Sequence, residues 1–141
     1  MKKFTLYYLL LLAVVFNLAS CGDKDEDTPA PSKQTLLTTK TWKVSKAIVD
    51  GEDMVQDPFL GYFYQYTYKF NTDKTYTFSL LTISEPGMWE FASNETVIVL
   101  NPGTDDEERW TITELKENSL KATYVDPTDN SKTEYEFVPK L

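Results

Sequence analysis

The sequence predicts an all-β domain, an eight-stranded antiparallel up-and-down barrel with a short N-terminal helical turn. Three observations lead there. From Trp42 to Phe137 apolar and polar residues alternate with a period of two. The alternating runs are separated by short turn signals. A helical pattern is nearly absent, which leaves no crossover for a parallel sheet.

The elements follow in order. Ser32 or Thr35 can cap a turn of helix through Thr39. Trp42, Val44 and Ile48 then alternate with Lys43, Ser45 and Ala47. Tyr62, Tyr64, Tyr66, Tyr68 and Phe70 share one face of a second strand, with Gln65, Thr67 and Lys69 opposite. Asn71-Thr72-Asp73-Lys74 reads as a tight hairpin turn. The return strand puts Tyr76, Phe78 and Leu80 inside. Pro86-Gly87 reads as the next turn, followed by Trp89 and Phe91 on one face. Ser93-Asn94 leads into Thr96–Leu100. A longer loop runs from Asn101 through the acidic residues Asp105-Asp106-Glu107-Glu108, which read as a solvated turn. Trp110 and Ile112 lie on the sixth strand. Glu117-Asn118 turns into Leu120, Ala122 and Tyr124, and residues 126–130 turn into Tyr135 and Phe137. Hairpins in succession favour a closed barrel, which removes exposed edges, over a two-sheet sandwich.

Several of these pieces resemble the lipocalin-like domains of small bacterial lipoproteins. They are Leu36-Leu37-Thr38-Thr39-Lys40-Thr41-Trp42, the hairpin Tyr68–Tyr76, Gly87-Met88-Trp89, and Trp110–Leu115 with Leu120. The likeness spans residues 34–138. Two positions depart from it. Lys40 stands where lipocalins place glycine, two residues before the first tryptophan. The only arginine, Arg109, falls on the sixth strand and not late in the barrel. The resemblance therefore implies a closed end built by other means.

The N-terminus carries a different signal. Lys2 and Lys3 precede an apolar run from Phe4 to Phe16, the length of an export signal and short for a membrane span. Leu18-Ala19-Ser20-Cys21 resembles the lipobox of bacterial lipoproteins. That implies a signal peptide at 1–20 and a lipidated Cys21, the only cysteine of the chain. Residues 21–33 read as a flexible acidic tether and 34–141 as the barrel domain. The acidic run directly after Cys21 resembles a surface-export signal of Gram-negative bacteria. The expected location is the outer membrane, exposed at the cell surface, with its periplasmic face as the alternative.

Composition narrows the chemistry. There is no histidine, and the one cysteine is committed to lipid. That removes the usual catalytic triads and ordinary zinc sites. Of 14 basic residues, 12 remain once Lys2 and Lys3 are cleaved away, against 22 acidic, for a net charge of −10. Such a charge opposes nucleic-acid binding. No enzyme, metal or cofactor is expected.

The positive signal is aromatic. Phe59, Phe63, Tyr64, Tyr66, Tyr68 and Tyr76, with Trp89 and Trp110, are the candidate ligand-binding residues, the rim being the expected place. Eight strands enclose an interior that side chains alone can fill, or that holds one small ligand. Two functions stay open. One is a tethered module binding a small apolar, aromatic or glycan ligand at the barrel mouth. The other is a non-catalytic interaction module of the cell envelope, solid inside, that docks on a protein partner.

Overall fold

The computed structural model describes residues 29–59, 61 and 65–141. Cys21, the segment expected to be an export signal, most of the expected tether, Phe63 and Tyr64 lie outside the described residues.

A short helix, α1 (Lys33–Thr38), comes first. Ser32 caps it, its Oγ accepting from the Thr35 backbone N–H at 3.1 Å. The strands are β1 (Thr41–Val49), β2 (Glu52–Asp53), β3 (Tyr66–Phe70), β4 (Thr75–Leu80), β5 (Ile83–Ala92), β6 (Val97–Leu100), β7 (Glu108–Lys116), β8 (Ser119–Val125) and β9 (Lys132–Pro139). From β3 to β9 each strand pairs antiparallel with the next. β1 pairs with β3 on one side and with β9 on the other, from Trp42↔Pro139 to Val49↔Thr133. That last ladder closes an eight-stranded barrel, as the alternation predicts.

β2 adds a two-residue return against the end of β1. The sequence reading omits it, although Asp50-Gly51 is a strong hairpin signal. Both residues have positive φ, 49° and 95°, as a tight two-residue turn requires. A single 3₁₀ turn, Met54–Gln56, follows, with Asp53 Oδ1 accepting from the Val55 N–H at 3.1 Å. The second barrel strand is expected from Tyr62, and its described part begins at Tyr66.

One expected turn is corrected. Pro86-Gly87 lies inside β5, opposite Thr77 and Tyr76, and the chain reverses instead at Leu81, where φ is 52°. A proline is tolerated there because β6 pairs only with Trp89–Ala92 of β5. Pro86 therefore faces no neighbour on its other side, the position in which a missing N–H costs no ladder bond.

Helix α1 closes one end. The Trp42 indole donates to the Leu37 carbonyl at 2.9 Å, and the Lys69 ammonium to the Thr38 carbonyl at 2.8 Å. Lys74 reaches Gln34 Oε1 at 2.9 Å. The first two bonds use backbone carbonyls that a helix C-terminus leaves without partners, and the third uses the Gln34 side-chain amide. They also account for the departures at Lys40 and Arg109. Lys40 turns outward to the Glu117-Asn118 turn, and exposed Arg109 pairs with Glu107 at 3.1 Å.

Inside, Trp42, Trp89 and Trp110 are each at most 1% exposed, with Phe70, Phe137, Leu37 and Leu120 packed among them. Tyr68 stands at the centre, edge-on to Trp110 with 4.9 Å between ring centroids and 5.4 Å from Phe78. The interior is a filled aromatic core.

Candidate functional site

The end opposite α1 is formed by the β4–β5 hairpin, the β6–β7 loop and the β8–β9 loop. There the wall has a gap. Hydrogen bonding between β5 and β6 stops at Trp89↔Leu100, with one further bond from the Asn101 N–H to the Met88 carbonyl at 2.8 Å. Beyond it, from Gly87 back to Ile83, β5 is paired with β4 alone. The opening is a cleft of about 660 Å³. Tyr68, Tyr76, Phe78 and Leu100 form its inner surface. Glu85 and Pro86 flank it from β5, and Asn101, Thr104, Asp106 and Glu108 from the other side.

Three side chains define its chemistry. Tyr76 lies across Gly87 and donates from its hydroxyl to Asn101 Oδ1 at 3.3 Å. Tyr68 is only 8% exposed, and its hydroxyl makes no hydrogen bond among the described residues. No buried polar side-chain atom there lacks a partner, so this hydroxyl keeps solvent contact at the cleft. Burial holds the phenol well above its ordinary range, and the nearby Glu108 carboxylate raises it further. Glu108 accepts from the Trp110 indole N–H at 2.9 Å. Burial raises its carboxyl above the usual value, opposed by the indole bond and reinforced by Asp126. No lysine or arginine pairs with it among the described residues.

Glu108 corrects the solvated-turn reading of the acidic run. Asp105 and Asp106 are exposed, and Glu107 accepts from the Gly103 N–H at 2.8 Å and pairs with Arg109. Glu108 instead begins β7 and turns inward. The signal was available: Glu108 stands two residues before Trp110 on a strand, hence on the same face. Phe78, Glu85 and Asn101 were also missed as site residues.

The candidate aromatics separate. Tyr68 and Tyr76 line the cleft together. Tyr66 is half-buried beside Tyr68, at 5.8 Å, and beside Tyr135, at 6.4 Å. Trp110 sits behind the cleft and holds Glu108. Trp89 lies at the closed end, its indole bonded to the Asn71 carbonyl at 3.1 Å and the Lys74 ammonium 4.2 Å from its ring centroid. Phe59 is 84% exposed on the connection after β2.

The raised Glu108 carboxyl makes a prediction about stability. Between the ordinary carboxyl value and the raised one, the folded chain keeps a proton that the unfolded chain has released. The contribution is fully present below the ordinary value and is lost as pH rises through the raised one. Glu108→Gln is therefore expected to be at least as stable as wild type at pH 7, and its advantage should shrink on acidification to pH 4. Urea midpoints at pH 4, 5.5 and 7 test this. A wild type that gains on the variant as pH rises would contradict it.

Against this geometry, the sequence pattern of the lipocalin-like domain matches residues 38–122, more than half of the chain. The chain belongs to the lipocalin-like domain family. No curated protein matches it. As a lipocalin-like domain it keeps the closed antiparallel barrel. Among its described residues no cluster of acidic or cysteine side chains is arranged to hold a metal ion.

Proposed function

We propose that this protein is a non-catalytic binding lipoprotein. Lipidated Cys21 anchors it in the outer membrane, facing the cell surface, and segment 21–33 spaces the barrel from the bilayer. The lipocalin-like domain holds one small ligand with an apolar, aromatic or glycan body at the rim. The reading of the anchor rests on the lipobox-like tetrapeptide before and including Cys21. The binding reading rests on one observation. Tyr68 is more than nine-tenths buried, lines a cleft of about 660 Å³, and carries a hydroxyl with no partner among the described residues. Only solvent at the cleft meets this hydroxyl, and a ligand group that replaces that water while bonding the oxygen is accommodated at little cost. The filled core moves the site from the barrel axis to the gap beside β5.

The test is a thermal-shift panel of fatty acids, bile acids, planar aromatics, glycans and amines on wild type and Tyr68→Phe. At least one member should raise the wild-type melting temperature by mass action and lose that effect in the variant. A panel without any response, or with equal responses in both proteins, overturns the rim site. Exposed Leu81, Ile83 and Val125 near the same rim, at 65%, 54% and 50%, favour docking on an envelope protein as a second reading.

A further inference from the structure

The charge of the cleft points to the class of its ligand. Glu85, Asp106 and Glu108 line it, and among the described residues no lysine or arginine does. All three carboxylates bear on the Tyr76 hydroxyl, which places them around one volume. Elsewhere on the barrel acids find cations: Glu117 with Lys40, Glu136 with Lys121, Glu134 with Lys132. Glu108 does not, although it is the most enclosed of the three. Its Oε2 takes the Trp110 bond, and its Oε1 has no partner among the described residues.

Glu108 is half-buried without a counter-charge, and a positive charge from outside the chain would offset that cost. The second observation is independent of charge. The Tyr68 hydroxyl, inside the same cleft, has an oxygen free to accept a bond. Of the remaining lining, Asn101 and Thr104 are polar, while Phe78, Pro86 and Leu100 offer surface for a compact body and the rings of Phe78 and Tyr76 offer cation–π contact.

We infer that the cleft binds an organic cation, an ammonium group on a small apolar or aromatic body. Its head donates to Glu108 and to the Tyr68 oxygen, and its body rests on Phe78, Pro86 and Leu100. A bare metal ion is a poor fit, since the three carboxylates flank the cleft without converging on one point, and no group of acidic side chains among the described residues is close enough to coordinate one. A neutral polyol leaves Glu108 uncompensated, and an anion adds a fourth negative charge. The inference rests on the rim-site reading and narrows it.

Calorimetric titration of the full chain in a neutral detergent tests it with sets of matched probes. Each set holds an amine, the alcohol of the same body and the corresponding carboxylate, for phenethyl, hexyl and cyclohexylmethyl bodies. At least one amine should bind, its alcohol about tenfold more weakly, and the carboxylate not measurably. Glu108→Gln should weaken the amine at least about tenfold while the barrel keeps its melting temperature. The exposed pair Glu85→Gln and Asp106→Asn, at the margin of the cleft, should weaken it about two- to threefold. An alcohol or carboxylate that binds as tightly as its amine, in a Tyr68-dependent manner, overturns the cation and leaves the rim site standing. Amine binding unchanged by Glu108→Gln also overturns it, as does silence from every amine while another ligand of the broader panel binds.

Discussion

Truncating Trp110 to alanine is expected to lower the unfolding free energy by about 3–5 kcal/mol, read as a large fall in the urea midpoint. The side chain is 1% exposed and touches aromatic neighbours on three sides. Phe137 stacks on it at 5.5 Å and 21°, Tyr135 lies tilted at 5.5 Å, and Tyr68 stands edge-on at 4.9 Å. Its loss opens a cavity that these rings cannot all close, because each is held by other neighbours. It also removes the one hydrogen bond that the Glu108 carboxylate accepts from a described side chain. Trp110→Phe separates the two effects. It keeps most of the packing and loses the indole N–H, so about 1–2 kcal/mol is expected from it. If the alanine variant lost less than about 1.5 kcal/mol, the centre of the barrel would not be packed as described. The same substitution should remove amine binding, since both the wall behind Tyr68 and the support of Glu108 go with the indole.

The barrel was legible because its physics is local. Alternation of period two puts Trp42, Tyr68, Trp89, Trp110 and Phe137 on one face of each strand. Asn71–Lys74 carries its own turn chemistry, with Lys74 at φ 71° and Asp73 Oδ1 accepting from the Thr75 N–H. Pro86-Gly87 misled for a physical reason. Proline and glycine end strands when a neighbour needs the missing N–H or side chain, and whether β6 reaches Pro86 is decided by the register of a strand far along the sequence. The site was hidden by the same fact. The cleft exists because β5 outruns β6, and no single segment contains that mismatch. Tyr68 and Tyr76 could be named from alternation alone. Asn101 and Glu85 could not, since only the gap brings a loop residue and an exposed strand residue together. Glu108 was within reach, had alternation been carried two residues back from Trp110 into the acidic run.

Gly87 provides the sharper test of how the cleft is built. Its φ is not positive, so the backbone alone would accept any residue there. What excludes a side chain is Tyr76. A Cβ on residue 87 would stand 2.4 Å from the Tyr76 ring and 2.6 Å from Asn101 Oδ1. The ring cannot easily retreat, because Tyr68 at 5.9 Å and Phe70 at 6.1 Å lie on its inner side. Gly87→Ala is therefore expected to cost about 1–3 kcal/mol, as overpacking of a filled interior does. It should also break the bond from Tyr76 to Asn101 and push the ring into the cleft, so ligand binding falls along with stability. The decisive comparison is the same substitution in a Tyr76→Leu background. With the ring gone, the Asn101 amide also loses its bond to Tyr76 and can swing its oxygen away from residue 87, so alanine in a strand interior should outperform glycine by about 0.5–1 kcal/mol, because glycine loses more freedom on folding. The sign of the Gly87→Ala effect thus reverses between the two backgrounds, a coupling readable from four urea titrations. If alanine were destabilising in both, glycine would be needed for some feature of β5 other than the ring, and the inner face of the cleft would not be set by Tyr76.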